Sequence, residues 1–172
     1  LAEGEVKAAE RIGRGAEKYV LTNKNLEQHE PLRSIVGHSL AQSTSSRGPD
    51  HLRGAYHAER DMDPEEARKL NFNPDPLSYE NKASGVIFYE SNAMVADMLE
   101  TCKFQSPWLS THFIDAELWA ELFSSATGVK ISAADLLKAG ERGYNVERAF
   151  IAREGVRRKD DIPPWREFEE PY

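Results

Sequence analysis

The strongest constraint on this chain is a helical rhythm with no strand-like pattern to compete with it. Val86, Ile87, Met94, Met98 and Leu99 recur at helical spacing between about Ser78 and Thr101. Apolar residues spaced three or four apart mark a helix that buries one side. No stretch alternates with the period of two that a half-buried strand requires. The pattern predicts an all-α chain of five or six helices with long irregular connections. The long helix ends near Cys102, the sole cysteine, and Asp97 lies five residues before it among apolar neighbours. An unpaired buried carboxylate is costly, so a buried Asp97 requires a partner. Residue chemistry alone admits a solvated acid beside a small buried thiol. It also admits an acid and thiol turned toward another part of the molecule.

Other segments read as follows. Glu3 to about Leu21 places Val6, Ala9, Ile12, Ala16, Tyr19 and Val20 on one side of an amphipathic helix. Gly13 and Gly15 weaken it by about 1 kcal/mol each relative to Ala. Thr22 to Pro31 is polar and reads as a loop, and Leu32 to Leu40 carries too short an apolar pattern to assign. Asp63 as N-cap and Pro64 at the first helical position open a short helix to about Leu70. Asn71 to Pro76 breaks the chain, because residues preceding proline disfavour helix. Lys103 to Trp108 forms an aromatic-containing connector. Asp115 caps a helix that turns Leu118, Trp119, Leu122 and Phe123 inward and stops at Gly128. Ser132 to Asp135 has the form of a capping box. The helix it opens carries Leu136, Leu137, Tyr144, Phe150 and Ile151 and ends near Gly155. The tail, 156–172, is expected to be irregular and packed across a surface.

With 172 residues, no internal repeat and no linker, the chain reads as one helical unit, 1–172, with a real core. A net charge of −7 argues against a nucleic-acid surface, and no apolar run approaches a membrane span. One cysteine excludes an internal disulfide and fits a reducing, cytoplasmic setting. The opening Leu1-Ala2-Glu3-Gly4 has neither an initiator Met nor a signal-peptide layout, so the chain reads as the later part of a longer polypeptide. There is no Walker loop, dinucleotide fingerprint or nucleophile elbow. His29, His38, His51, His57 and His112 lack the paired spacing of a zinc site. The loop 42–54 combines small hydroxyl residues, Gly48, Pro49 and Gly54 with Arg47, His51 and Arg53. Such a backbone can approach a ligand closely, although a solvated surface loop has the same composition. Nothing here is a self-contained active site; the chain has the content of one wall of a site.

Several stretches, taken in order, resemble one family. Leu1-Ala2-Glu3-Gly4 with Ala9, Ile12-Gly13 and Gly15-Ala16-Glu17 is similar to an opening helix. Thr44 to Arg53 is similar to a small-residue Arg-Gly-x-x-His segment, and Tyr79 to Ala83 to the start of a long helix. Asp97 to Cys102 has the spacing of a DxxGLC motif. Gly140-Glu141-Arg142, Arg148-Ala149-Phe150, Arg153-Glu154-Gly155 and Arg158 to Pro163 resemble its closing signature. The collinear set resembles the C-terminal helical part of the tungsten-containing aldehyde:ferredoxin oxidoreductase family.

The resemblance implies a large multidomain enzyme that holds a tungsten (or molybdenum) bis-pterin cofactor beside a 4Fe-4S cluster. Such an enzyme oxidises aldehydes to carboxylic acids and passes electrons to ferredoxin. Three cluster cysteines would lie in an N-terminal domain, the chief partner of this chain. Cys102 matches the fourth, and thiolate is the ligand a cluster iron requires. Asp97 would accept hydrogen bonds from pterin N–H groups. Thr101 would share that cofactor-facing turn, Arg53 would sit near the pterin or its phosphates, and His51 would exchange a proton near the metal. The implied layout is a cofactor-facing loop near 42–54, a cluster-ligand segment 93–104, C-terminal helices 114–155 and the tail. One thiolate cannot hold four irons, so no cofactor is expected on this chain alone.

Glu100-Thr101 replaces the family's Gly-Leu, and Glu30-Pro31-Leu32-Arg33 replaces its Asp-Pro-Arg. These departures bear on substrate class and cofactor retention. They leave two further expectations: a divergent tungstopterin enzyme of the benzoyl-CoA reductase type, or a non-catalytic helical docking or scaffold module with Cys102 buried and inert.

Overall fold

The computed structural model describes residues 3–30, 32–106 and 114–170. Leu1, Ala2, Pro31, Pro107, Trp108, His112 and Tyr172, which figure in the sequence readings, lie outside the described residues. The elements are α1 (Glu5–Ile12), β1 (Thr22–Asn23), β2 (Leu26–Glu27), α2 (Val36–Thr44), α3 (Pro64–Lys69), α4 (Lys82–Met98), α5 (Ala116–Thr127), α6 (Ala133–Arg153) and α7 (Trp165–Glu169). Short 3-10 turns lie at Ala16–Tyr19, His57–Glu59, Lys103–Gln105 and Arg158–Asp160. The fold is helical, and no described helix is long and apolar enough to cross a membrane.

α4 is the axis of the molecule. Its N-terminal half joins a core of Tyr56, Phe72, Val86 and Tyr89 with the small Ala41, Ala58 and Ala67. Its C-terminal half packs Val95 and Ala96 against Trp119, Ala120 and Leu136 of α5 and α6. α6 crosses α4 at two glycines. A Cβ on Gly140 would lie 2.4 Å from the Ser91 carbonyl oxygen, and one on Gly143 would lie 2.8 Å from Met94 Cγ. Only glycine permits that approach.

The caps read from sequence are present. Asp63 Oδ1 accepts from Glu65 N at 2.8 Å and Glu66 N at 3.1 Å, with Pro64 opening α3. Asp115 Oδ1 accepts from Leu118 N at 2.7 Å, and Gly128 ends α5 at φ 75°. Ser132 Oγ accepts from Asp135 N at 3.1 Å to open α6.

Several expectations are corrected and one unassigned stretch is resolved. The first helix stops at Ile12, because Gly13, Arg14 and Gly15 all take positive φ, and only Ala9 of α1 is buried. The polar loop contains a two-stranded hairpin, Thr22 opposite Glu27 and Asn23 opposite Leu26, turned by Lys24 and Asn25 at φ 52° and 60°. The unassigned stretch after Leu32 becomes α2. The tail contains the helix α7 rather than only irregular chain, and Tyr19 stacks edge-on against its Trp165 at 6.0 Å. Ile87, Met98, Leu118, Leu122 and Phe150 share the apolar rhythm yet stay exposed.

The tail is stitched to the hairpin. Asn23 Nδ2 donates to the carbonyls of Asp160 (3.1 Å) and Ile162 (2.9 Å). Asp161 pairs with Lys24 at 2.8 Å and with Arg148 of α6 at 2.6 Å.

Candidate functional site

The C-terminal end of α4 closes in a way that turns its last polar groups outward. Thr101 N donates to Ala96 O at 2.9 Å and Glu100 N to Asp97 O at 3.1 Å. This is the reciprocal pattern that ends a helix through a left-handed residue. That residue is Glu100, at φ 54°, where glycine would be unstrained. The reversal leaves Thr101 and Cys102 exposed. Cys102 is therefore not the small buried thiol that residue chemistry alone admitted. Thr101 and Cys102 line a largely apolar cavity of about 340 Å³ together with Leu99, Ile114, Trp119 and Leu122.

Asp97 has the partners its position demands. Arg53 Nη1 bonds one carboxylate oxygen and Lys103 Nζ the other. Arg53 also reaches Glu147 Oε1 of α6 at 3.0 Å. The guanidinium thus ties the loop after α2 to both long helices. Its Nε is buried without a hydrogen-bond partner among the described residues, and an unpaired polar atom of this kind calls for an explanation. The Asp97 side chain keeps 33% of its surface exposed. Each carboxylate oxygen has lone pairs beyond those its cation uses.

His51, two residues before Arg53, meets His29. Its Nδ1 faces His29 Nε2 at 2.8 Å, with ring centroids 4.7 Å apart. Burial, then the neighbouring His29, pushes the His51 pKa down. Glu30 lies alongside, 3.5 Å from His29 Nε2 and 3.4 Å from His38 Nε2. Contact with His38, helped by Arg60, holds the Glu30 carboxyl at about 2. His29, Glu30 and His51 present one ligand atom each within 4.8 Å of one another. The sequence reading set aside a histidine metal site because no two histidines have the usual spacing. The hairpin and the loop after α2 bring His29 and His51 together across 22 positions. Local spacing carries no trace of that meeting.

Comparison with known proteins decides the relationship. The family model for aldehyde ferredoxin oxidoreductase, domains 2 and 3, matches residues 1–172. The chain belongs to the aldehyde ferredoxin oxidoreductase family. Tungsten-containing aldehyde ferredoxin oxidoreductases of Thermococcus kodakarensis and Pyrococcus abyssi are 29% and 30% identical to it, over 99% of its length. The chain spans 27% and 26% of those two proteins respectively.

Proposed function

We propose that this chain forms one wall of an oxidoreductase that converts aldehydes to carboxylic acids at a tungsten (or molybdenum) bis-pterin centre. In this reading electrons leave through a 4Fe-4S cluster to ferredoxin. The observation that carries it is the turn after α4, where an exposed thiol and a part-exposed, doubly ion-paired carboxylate stand five residues apart. The family match across the whole chain supports it.

The donor set fits the absent groups. Cys102 offers one thiolate for an iron, so the remaining ligands come from an N-terminal domain. Asp97 retains acceptor capacity for pterin N–H groups while Arg53 and Lys103 hold it in place. Their cationic heads, and the unpartnered Arg53 Nε, suit phosphate oxygens. The exposed Thr101 lies on the same turn. When bound, the metal–pterin group supplies oxygen-atom and two-electron chemistry. His51, its pKa lowered by burial, is neutral near pH 7 and can accept a proton released at the substrate.

The test uses the polypeptide carrying this segment at its full encoded length, purified anaerobically. Tungsten and iron are expected by elemental analysis, with a reduced-cluster EPR signal. Cys102→Ser should lose the iron or change that signal while far-UV circular dichroism stays the same. A folded protein free of tungsten, molybdenum and iron would overturn the reading. So would a Cys102→Ser variant with unaltered iron content and EPR.

A further inference from the structure

We infer that His29, Glu30 and His51 form a binding site for a divalent transition-metal cation, separate from the cofactor seat at Asp97 and Cys102. Two imidazoles and a carboxylate make a donor set suited to Zn²⁺ or Fe²⁺. Donor atoms around a tetrahedral zinc lie about 3.3 Å apart, given metal–nitrogen bonds near 2.0 Å. Two of the separations bracket that value, 2.8 Å between His51 Nδ1 and His29 Nε2 and 3.5 Å between His29 Nε2 and Glu30 Oε1, and all three donor atoms lie within 4.8 Å of one another. Three protein donors leave one position open to water.

The surroundings favour the states a metal needs. Ligands must be deprotonated, and the burial of His51 and the cationic neighbours of Glu30 both act in that direction. Glu30 is also held in orientation, because Gln42 Nε2 donates to its Oε1 at 2.9 Å and Arg60 Nη1 to its Oε2 at 3.4 Å. Partners of this kind fix ligand geometry in metal sites. Behind them, His38 Nδ1 accepts from Tyr56 N at 3.2 Å, so its Nε2 carries the hydrogen that faces Glu30. His38 is thereby an orienting donor and not a fourth ligand. One of the two facing nitrogens of His29 and His51 carries a hydrogen without metal. Binding moves it to the far nitrogen of the same ring, and no redox step is involved. With the metal on Nδ1 the hydrogen of His51 stands on Nε2, so a chain loaded at this site no longer has His51 as a proton acceptor.

The test titrates the chelator-treated chain with Co²⁺, followed by visible absorption and calorimetry, in wild type and in Cys102→Ser. One Co²⁺ per chain is expected, with a four-coordinate ligand-field band displaced by Zn²⁺ and unchanged in Cys102→Ser. Proton NMR of the Co²⁺ form should show two shifted, exchangeable imidazole N–H signals. His29→Gln alters an exposed side chain and should raise Kd at least about tenfold, the lower end of what losing even an orienting partner costs. Absence of stoichiometric binding, binding indifferent to His29→Gln, or loss of binding in Cys102→Ser would each overturn the site.

Discussion

The two ends of α4 both carry ion pairs, and they are built on opposite plans. At the N-terminal end Lys82 Nζ reaches Glu59 Oε2 at 2.8 Å, with 3% and 0% of the two side chains exposed. Lys82 spends its other hydrogens on the carbonyls of Asn73 and Asp75, both at 2.8 Å. Glu59 accepts from Gly37 N at 3.1 Å and His38 N at 2.6 Å, placing its charge at the start of α2. Both charged heads there are buried and fully partnered. At the C-terminal end, Asp97 keeps a third of its surface beside the exposed Thr101 and Cys102, and Arg53 Nε is left over. A sealed pair orients the fold; a half-open one keeps capacity for a ligand.

The largest effect should come from opening the sealed end. Lys82→Met strands the Glu59 carboxylate inside the protein, and the loss should be about 3–5 kcal/mol by urea unfolding. If the loss is below about 1 kcal/mol, the contrast between the ends fails.

Next comes acid sensitivity in the same sealed region. His57 is buried, with Nδ1 2.9 Å from Asp61 Oδ2, and burial holds its pKa at about 4 against 6.5 for an exposed imidazole. The unfolded chain therefore takes up this proton first. Stability from this group is complete above about pH 6.5 and declines as pH falls toward 4, by on the order of 3 kcal/mol. His57→Gln should flatten that limb of the stability profile.

At the open end, smaller changes are expected. Glu100→Gly relieves a left-handed conformation and should stabilise by about 1 kcal/mol, read from the urea midpoint. Asp97→Asn should cost no more than about 1 kcal/mol, as for other part-exposed pairs. A loss several times larger would make Asp97 structural, like Glu59. Finally, Cys102 should react with a thiol reagent at a rate within about tenfold of the unfolded chain. Slow labelling would mean that the turn is closed.

What could be read in advance follows from how local the physics is. Asp63, Asp115 and Ser132 announced their helices because a cap acts on amides two or three residues away. The α4 rhythm was legible, but its sense was partly wrong: Ile87 and Met98 look outward although their spacing matches Val86 and Met94. Periodicity reports a stripe without its width. α2 escaped because its buried face, Gly37, His38, Ser39, Ala41, Gln42 and Ser43, holds only one apolar side chain, that of Ala41. The need of Asp97 for a partner was legible, whereas the identity of Arg53 and Lys103 as those partners was not. The pairing of His29 with His51 depends on the hairpin, whose two short strands leave almost no alternation to detect.

The stitch between Asn23, Lys24 and residues 160–162 has a consequence for biosynthesis. Asn23 is nearly inaccessible, and both carbonyls its amide needs come from positions 160 and 162. A ribosome adds the intervening stretch in on the order of ten seconds. Throughout that interval the early hairpin has to stay hydrated and mobile. It locks only when residues 160–162 emerge, so a message cut short before them releases a polypeptide whose hairpin is still undone.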